Sequence, residues 1–232
     1  MNKRILVIIP AYNEEGNIVR VVSNLIENYP QFDYVVVNDG SKDRTAALCK
    51  ENNYNLIDLP VNLGLAGGFQ AGLKYAYYKG YDYAIQFDGD GQHNPAYIDE
   101  MVKTAENTES NIVIGSRFAT EKKPFSPRMI GSRLIELCII LTTGRKVKDP
   151  TSGMRMFDKK MISILANNMN FGPEPDTLAY LIRCGARFRE CQVTMSERIA
   201  GESYLNPINS AKYMFRMCNS ILFMQWFRKR HV

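Results

Sequence analysis

The chain has 232 residues, 45% apolar and 23% charged, which excludes disordered and fibrous proteins and suits one globular domain with room for an appendage. Its five cysteines (Cys49, Cys138, Cys184, Cys191 and Cys218) include no C-x-x-C pair, so a disulfide framework or zinc site is excluded and a reduced, cytosolic protein is expected. The net charge of +5 is uneven: residues 1–116 hold 9 basic and 15 acidic side chains, residues 117–148 hold 8 and 2, and residues 198–232 hold 6 and 1, so two basic blocks point to phosphate.

In chain order, Arg4–Ile9 is a β-branched run that stops at Pro10, as a buried strand does. Ile18, Val21, Val22, Leu25 and Ile26 then recur at helical spacing. Tyr34–Val37 reads as the second strand. Ser41 is the expected N-cap of the next helix, with Asp43 in its first turn. Leu56–Leu59 reads as a third strand, and Ala66, Phe69, Leu73, Ala76 and Tyr77 as one face of a helix. Tyr83–Phe87 and Ile112–Gly115 read as strands four and five. Beyond Arg117 the pattern is less regular and richer in Pro and Gly.

Strands alternating with helices imply an α/β fold with a mostly parallel sheet covered on both faces. In such sheets ligands bind beyond the carboxyl ends of the strands. The segments to read for function are therefore Pro10–Glu14, Asn38–Lys42, Asn62–Gly68, Asp88–Asn94 and Ser116–Arg117.

Asp88-Gly89-Asp90-Gly91-Gln92 follows a strand directly. Carboxylates at i and i+2 around a glycine can both turn toward one cation, and oxygen ligands of this kind suit Mg²⁺ or Mn²⁺ with substrate phosphates. A polar turn built from Asp and Gly is the plainer reading. The position at a strand's carboxyl end, with Gln92 and His93 following, favours the metal. Neither G-x-G-x-x-G nor a P-loop is present, so a dehydrogenase or P-loop enzyme is not expected.

Five strings occur in register: IPAYNEE, VNDGSKDRT, NLGLAGGFQAG, FDGDGQHNP and GSR. Together they resemble the inverting glycosyltransferases of family 2, with the GT-A fold. DGDGQH, GSRF, DPTSGMR and SERIAGES are similar to the polyprenyl-phosphate branch of that family. The resemblance runs from residue 4 to about 205. It implies a GT-A domain over 1–205 and leaves 206–232 as a C-terminal amphipathic, basic helical extension.

The resemblance also implies roles. Pro10, Ala11, Tyr12 and Glu14 match segments that hold the nucleotide, and Asp39 the aspartate that reads the nucleobase. Asp88, Asp90 and Gln92 match the metal ligands, with Gly89 between the carboxylates. Arg117 matches an arginine that grips donor or acceptor phosphate, and Arg198 one on a loop that closes on the diphosphate. The acceptor-side base is expected at Asp149, with Glu174 and Asp176 as alternatives. A lipid monophosphate, with a second pKa of about 6, is already mostly an oxyanion at neutral pH, so a base is dispensable for that acceptor.

The expected activity is metal-dependent, inverting sugar transfer from a nucleotide diphospho-sugar, UDP- favoured over GDP-, to a polyprenyl phosphate in cell-wall or polysaccharide synthesis. A soluble or cell-wall glycan is the alternative acceptor. A non-catalytic nucleotide-sugar module is disfavoured by the intact Asp88 and Asp90, and a nucleotidyltransferase by the lack of its glycine-rich start. No run approaches the ~18 apolar residues of a membrane span. A cytoplasmic protein peripheral to the inner face of the membrane is therefore expected, with a small membrane protein or a second copy as further partners and no nucleic acid. The surface helices expected to dock it are 126–141, carrying Met129, Ile130, Leu134, Leu137, Cys138 and Leu141, and 207–230, ending in Arg228-Lys229-Arg230.

Overall fold

The structure, a computed structural model, describes residues 3–168, 172–195 and 207–227. Seven strands alternate with eight helices in the order β1 (Ile5–Ala11), α1 (Ile18–Asn28), β2 (Asp33–Asp39), α2 (Thr45–Glu51), β3 (Leu56–Leu59), α3 (Gly64–Lys79), β4 (Tyr83–Gln86), α4 (Ile98–Thr108), β5 (Ile112–Ser116). The second half adds α5 (Pro127–Thr143), β6 (Arg155–Asp158), α6 (Lys159–Asn167), α7 (Pro175–Arg183), β7 (Phe188–Gln192) and α8 (Pro207–Leu222). The strands form one sheet in the order β3-β2-β1-β4-β6-β5-β7.

All pairings are parallel except those of β6, which runs against both β4 and β5. This reversal matters for the site. It places the start of β6, and the 149–154 segment leading into it, at the same sheet edge as the carboxyl ends of β1, β2, β4 and β5.

Successive side chains on a strand point to opposite faces, so a run with no polar member needs cover on both sides. Leu6, Ile8, Val35, Val37, Ile112 and Ile114 enter one core with α3, α5, α6, α7 and α8. Val7, Ile9, Val36, Ile85 and Val113 enter the other, with α1 and α4. Each fully buried aliphatic side chain contributes about 1.5–3 kcal/mol.

The expected elements of the first half are present, with local corrections. Ser41 does not cap α2, which begins at Thr45 behind Arg44. Asp43 accepts from the Thr45 backbone N–H and hydroxyl, and the Ser41 hydroxyl accepts from the Asn13 backbone N–H, tying the loop after β2 to the loop after β1. On α3, Phe69, Leu73 and Ala76 face inward as expected, but Ala66 and Tyr77 are exposed, and Gly68 and Gly72 take the inner positions. On α5, Met129 and Cys138 are buried, whereas Ile130, Leu134, Leu137 and Leu141 face outward. Ser126 caps α5, its side chain accepting from the Met129 backbone N–H. Among the described residues no helix is long and apolar enough to cross a membrane. Arg198 and Arg228–Arg230 lie outside the described residues.

Helix α8 seats Met217 and Ile221 against α5 and α7 and leaves Phe215 exposed. The turn after it exposes Phe223, Met224, Trp226 and Phe227.

Helix α3 lies close on β1 because Gly72 has no side chain: a Cβ there would stand 2.3 Å from Ile8 Cγ2. Gly72→Ala should therefore destabilise by about 1–3 kcal/mol through overpacking, despite alanine's better helix propensity. Urea denaturation measures it; unchanged or increased stability would show that the helix and strand can separate freely.

Candidate active site at the carboxyl edge of the sheet

The loops after β1 and β2 are laced together. Glu14 N–H donates to Thr45 Oγ1 at 2.8 Å, and Lys42 N–H donates to Asn13 Oδ1 at 2.9 Å. Glu14 Oε2 accepts from Asn17 Nδ2. Pro10 and Ala11 end β1, and Tyr12 projects to solvent. Asp39, buried at the end of β2, accepts from Leu63 N–H at 2.7 Å, and its Cβ is 3.6 Å from where a Cβ of Gly68 would stand. The segment 61–68 is thus drawn against the β1 and β2 ends.

The turn after β4 carries Asp88, Gly89, Asp90 and Gln92. Gly89 packs on the β1 loop, its Cβ position 3.2 Å from the Pro10 carbonyl oxygen. Asp90 is buried and its Oδ1 accepts from Gln92 N–H at 3.0 Å. Asp88, with a third of its side chain exposed, accepts from Gln86 Nε2 at 3.3 Å. Two carboxylates and an amide are hard oxygen donors of the kind Mg²⁺ and Mn²⁺ take, with remaining positions left to phosphates and water. Among the described residues no group of three or more His, Cys, Asp or Glu could hold an ion, and this turn offers two carboxylates and one amide.

His93 braces this turn, a role the sequence reading did not give it. Its buried Nδ1 accepts from Asp88 N–H at 2.9 Å, which puts the ring proton on Nε2, 3.5 Å from Asp88 Oδ2. Gly153, from the segment entering β6, closes over both: a Cβ there would lie 2.6 Å from Asp88 Oδ2 and 3.2 Å from His93 Cε1.

Arg117, directly after β5, meets Asp149 in a two-pronged pair. Arg117 Nε and Nη2 donate to Asp149 Oδ2 and Oδ1, each at 2.8 Å, and Arg117 N–H adds a third bond to Oδ2 at 3.0 Å. Asp149 is fully buried, whereas a fifth of the Arg117 side chain stays exposed. Glu190 of β7 fixes the segment by accepting from Asp149 N–H and Lys148 N–H. Burial opposes ionisation of Asp149, but the hydrogen bonds and charge of Arg117, with Lys123 farther off, outweigh it and hold the carboxyl below the usual range.

A general base must reach the acceptor's proton with an available lone pair. Asp149, enclosed and gripped by Arg117 and Thr151, has the geometry of a residue that orients Arg117. Of the two alternatives, Glu174 accepts from Arg216 of α8 at 2.7 Å, and Asp176 from Ser220 of α8 at 2.7 Å. Arg155, missed in the sequence between two core methionines, lies buried behind them. It donates to the carbonyls of Pro150 and Glu174, linking the Asp149 segment to the start of α7.

The structure therefore gathers Pro10, Ala11, Tyr12, Glu14, Asp39, Asp88, Gly89, Asp90, Gln92, Arg117 and Asp149 along one sheet edge. Asp149 has a lowered folded pKa, so its pair stabilises the fold above the ordinary aspartate pKa of about 3.9 and loses that effect as pH falls through the lower folded value. Asp149→Asn should cost about 3–5 kcal/mol at pH 7, with the wild-type advantage shrinking as pH falls below the ordinary aspartate pKa of about 3.9. Urea titrations above and below that pKa measure this, and a pH-independent difference would contradict it.

Known proteins resemble this chain in sequence and in fold. Residues 6–165 match the family model Glycosyl transferase family 2. A UDP-N-acetylglucosamine–dolichyl-phosphate N-acetylglucosaminyltransferase of Methanococcus voltae is 34% identical over 189 residues, covering 72% of this chain and 74% of that protein. The polyprenol monophosphomannose synthase of Mycolicibacterium smegmatis is 26% identical over 93% of this chain and 86% of its own. Among solved structures, glucosyl-3-phosphoglycerate synthase of Mycobacterium tuberculosis, in complex with Mn²⁺, UDP and phosphoglyceric acid, superposes with a TM-score of 0.70 at 15% identity, covering 99% of this chain and 81% of that one. The Pyrobaculum calidifontis mannosyltransferase with GDP-Man and Mn²⁺ gives 0.62 at 16%, covering 97% and 74%. At these identities the structures establish the shared fold, a mostly parallel GT-A sheet.

Proposed function

Because the chain belongs to glycosyl transferase family 2, we propose that it moves a sugar from a nucleotide diphospho-sugar to a polyprenyl phosphate at a membrane surface, inverting the anomeric centre. The observation that carries this reading is the placement of the Arg117–Asp149 pair on the same edge as Asp88 and Asp90, with the apolar outer stripe of α5 in the same segment of chain. The family relatives at 34% and 26% identity, one named as a transferase acting on dolichyl phosphate and the other as a synthase of polyprenol monophosphomannose, support that acceptor class. UDP is the favoured nucleotide, as it stands in the name of the more similar of these two.

In the proposed site, the segment Pro10–Glu14 and Asp39 hold the nucleoside. Asp39 keeps one oxygen on Leu63 N–H and turns the other toward a ring N–H of uracil or guanine. Asp88, Asp90 and Gln92 would hold Mg²⁺ or Mn²⁺, which when bound supplies charge neutralisation for the departing nucleoside diphosphate. Arg117, aimed by Asp149, grips an oxygen of donor or acceptor phosphate through its remaining donors. Arg198 is assigned by the family pattern to a segment closing on the diphosphate. The acceptor phosphate attacks as an oxyanion, so the chain's task is to hold two anionic groups together and aim one of them. The unit 1–205 carries the reaction, and 206–232, with the outer face of α5, places it at the cytoplasmic face of a membrane without crossing it.

Activity should vanish on chelation and return with Mn²⁺ or Mg²⁺. Asp90→Asn should lower turnover by about two orders of magnitude or more while thermal stability is kept. Transfer assays with excess chelator measure this, and full turnover there would remove the metal from the mechanism.

A further inference from the structure

The segment 118–123, helix α5 and residues 146–148 form a groove of about 690 Å³ whose lining includes none of Asp88, Asp90, Arg117 or Asp149. Five cations line it: Lys122, Lys123, Arg133, Lys146 and Lys148. Only Glu121 and Glu136 oppose them, leaving three net positive charges. Glu136 is shared by two ammonium groups, Lys123 Nζ at 2.7 Å and Lys146 Nζ at 3.4 Å, and Lys123 also donates to the buried Ser132 hydroxyl at 3.2 Å. Lys123 is therefore fixed in place, and the floor holds more charge than its own acids can neutralise.

The groove does not open onto Arg117. Phe118 forms its wall, with the ring centroid 5.4 Å from Arg117 Cζ and 5.8 Å from Lys123 Nζ, while the Arg117 fork turns to Asp149. A phosphate seated in the groove would therefore meet the lysines and Arg133 rather than the Arg117 fork. Thr120, Leu137 and Ile140 complete the lining, and Leu137 belongs as well to the outward stripe Ile130, Leu134, Leu137 and Leu141. These positions, at i, i+4, i+7 and i+11, form one apolar line along α5. Cationic floor and aliphatic line meet at a single residue.

That juxtaposition fits an amphiphile with an anionic head, and neither a soluble anion nor a polynucleotide has use for the aliphatic half. We propose that the groove binds the phosphate headgroup of an anionic bilayer lipid other than the acceptor, with the acyl chains continuing along the α5 stripe. The proposal rests on the membrane-surface reading above and names the lipid chemistry that α5 recognises. It implies that membrane binding depends on lipid charge and is weakened by salt.

The test is flotation of the full chain with phosphatidylcholine vesicles, with and without phosphatidylglycerol, for wild type and for Lys122→Gln/Lys146→Gln. Both lysines are exposed, and their loss removes two of the three net charges. Wild type should prefer phosphatidylglycerol vesicles by about tenfold or more, and the variant should lose most of that preference, with UDP–Mn²⁺ binding unchanged. Short-chain phosphatidylglycerol should compete with the vesicles, and inorganic phosphate at matched ionic strength should not. A variant with wild-type preference would overturn the proposal. Equal competition by inorganic phosphate would make the groove a free-anion site and overturn it too. A variant that keeps vesicle binding but shows a raised KM for polyprenyl phosphate would reassign the groove to the acceptor. Failure of the wild type to glycosylate polyprenyl phosphate in detergent would instead sink the proposed function, and the vesicle preference is scored independently of it.

Discussion

The buried bond between Arg117 and Asp149 is the constraint on which the site depends. Taking a carboxylate fully out of water costs several kcal/mol, and a buried ion pair regains it only with near-ideal geometry. Asp149 meets that condition with three bonds from Arg117 and with Glu190 anchoring its own N–H. The end of β5, the middle of β7 and the segment entering β6 are thereby joined through two carboxylates, those of Asp149 and Glu190. An apolar cluster of the same volume would serve stability as well or better, so the pair's distinctive product is a guanidinium held in one orientation at the sheet edge.

The reversed strand makes this possible. Were β6 parallel to its neighbours, the Asp149–Gly153 segment would enter at the opposite edge, away from Asp88. Because it is antiparallel, Gly153 comes down on Asp88 and His93 while Asp149 comes down on Arg117. The turn proposed to hold the metal and the arginine proposed to grip phosphate are therefore coupled through five consecutive residues. The proposed acceptor suits such a site: a phosphate oxyanion needs cations and aim, and the three carboxylates considered as bases are each engaged with Arg or Ser partners.

Much of the first half was legible because its strands are built on apolar runs, broken internally only by Asp58 of β3, and end in chemically marked turns. Leu56–Leu59 is found as read, and the ends of β1, β2, β4 and β5 deliver the residues the family resemblance names. The second half hid its strands for physical reasons. β6 has four residues, one of them Arg155, whose burial depends on carbonyls from distant segments that no local pattern reveals. β7 is an edge strand reading FRECQ, half exposed, with charges that serve the loops beside it. Helical spacing found α5 but could not divide Met129 and Cys138, which face the core, from Ile130, Leu134, Leu137 and Leu141, which do not. Ser41 looked like a cap because caps and loop-to-loop bonds use the same hydroxyl chemistry.

The central claim is that the enzyme aims an acceptor that is already an anion. The direct measurement compares polyprenyl phosphate with the matching polyprenol as acceptors, in detergent, with the same labelled nucleotide sugar and Mn²⁺. The account predicts transfer to the phosphate and a rate to the alcohol lower by about 10²–10⁴-fold, the contribution of the general base that the alcohol would need. Comparable rates on the two acceptors would show a working base in the site and contradict the account.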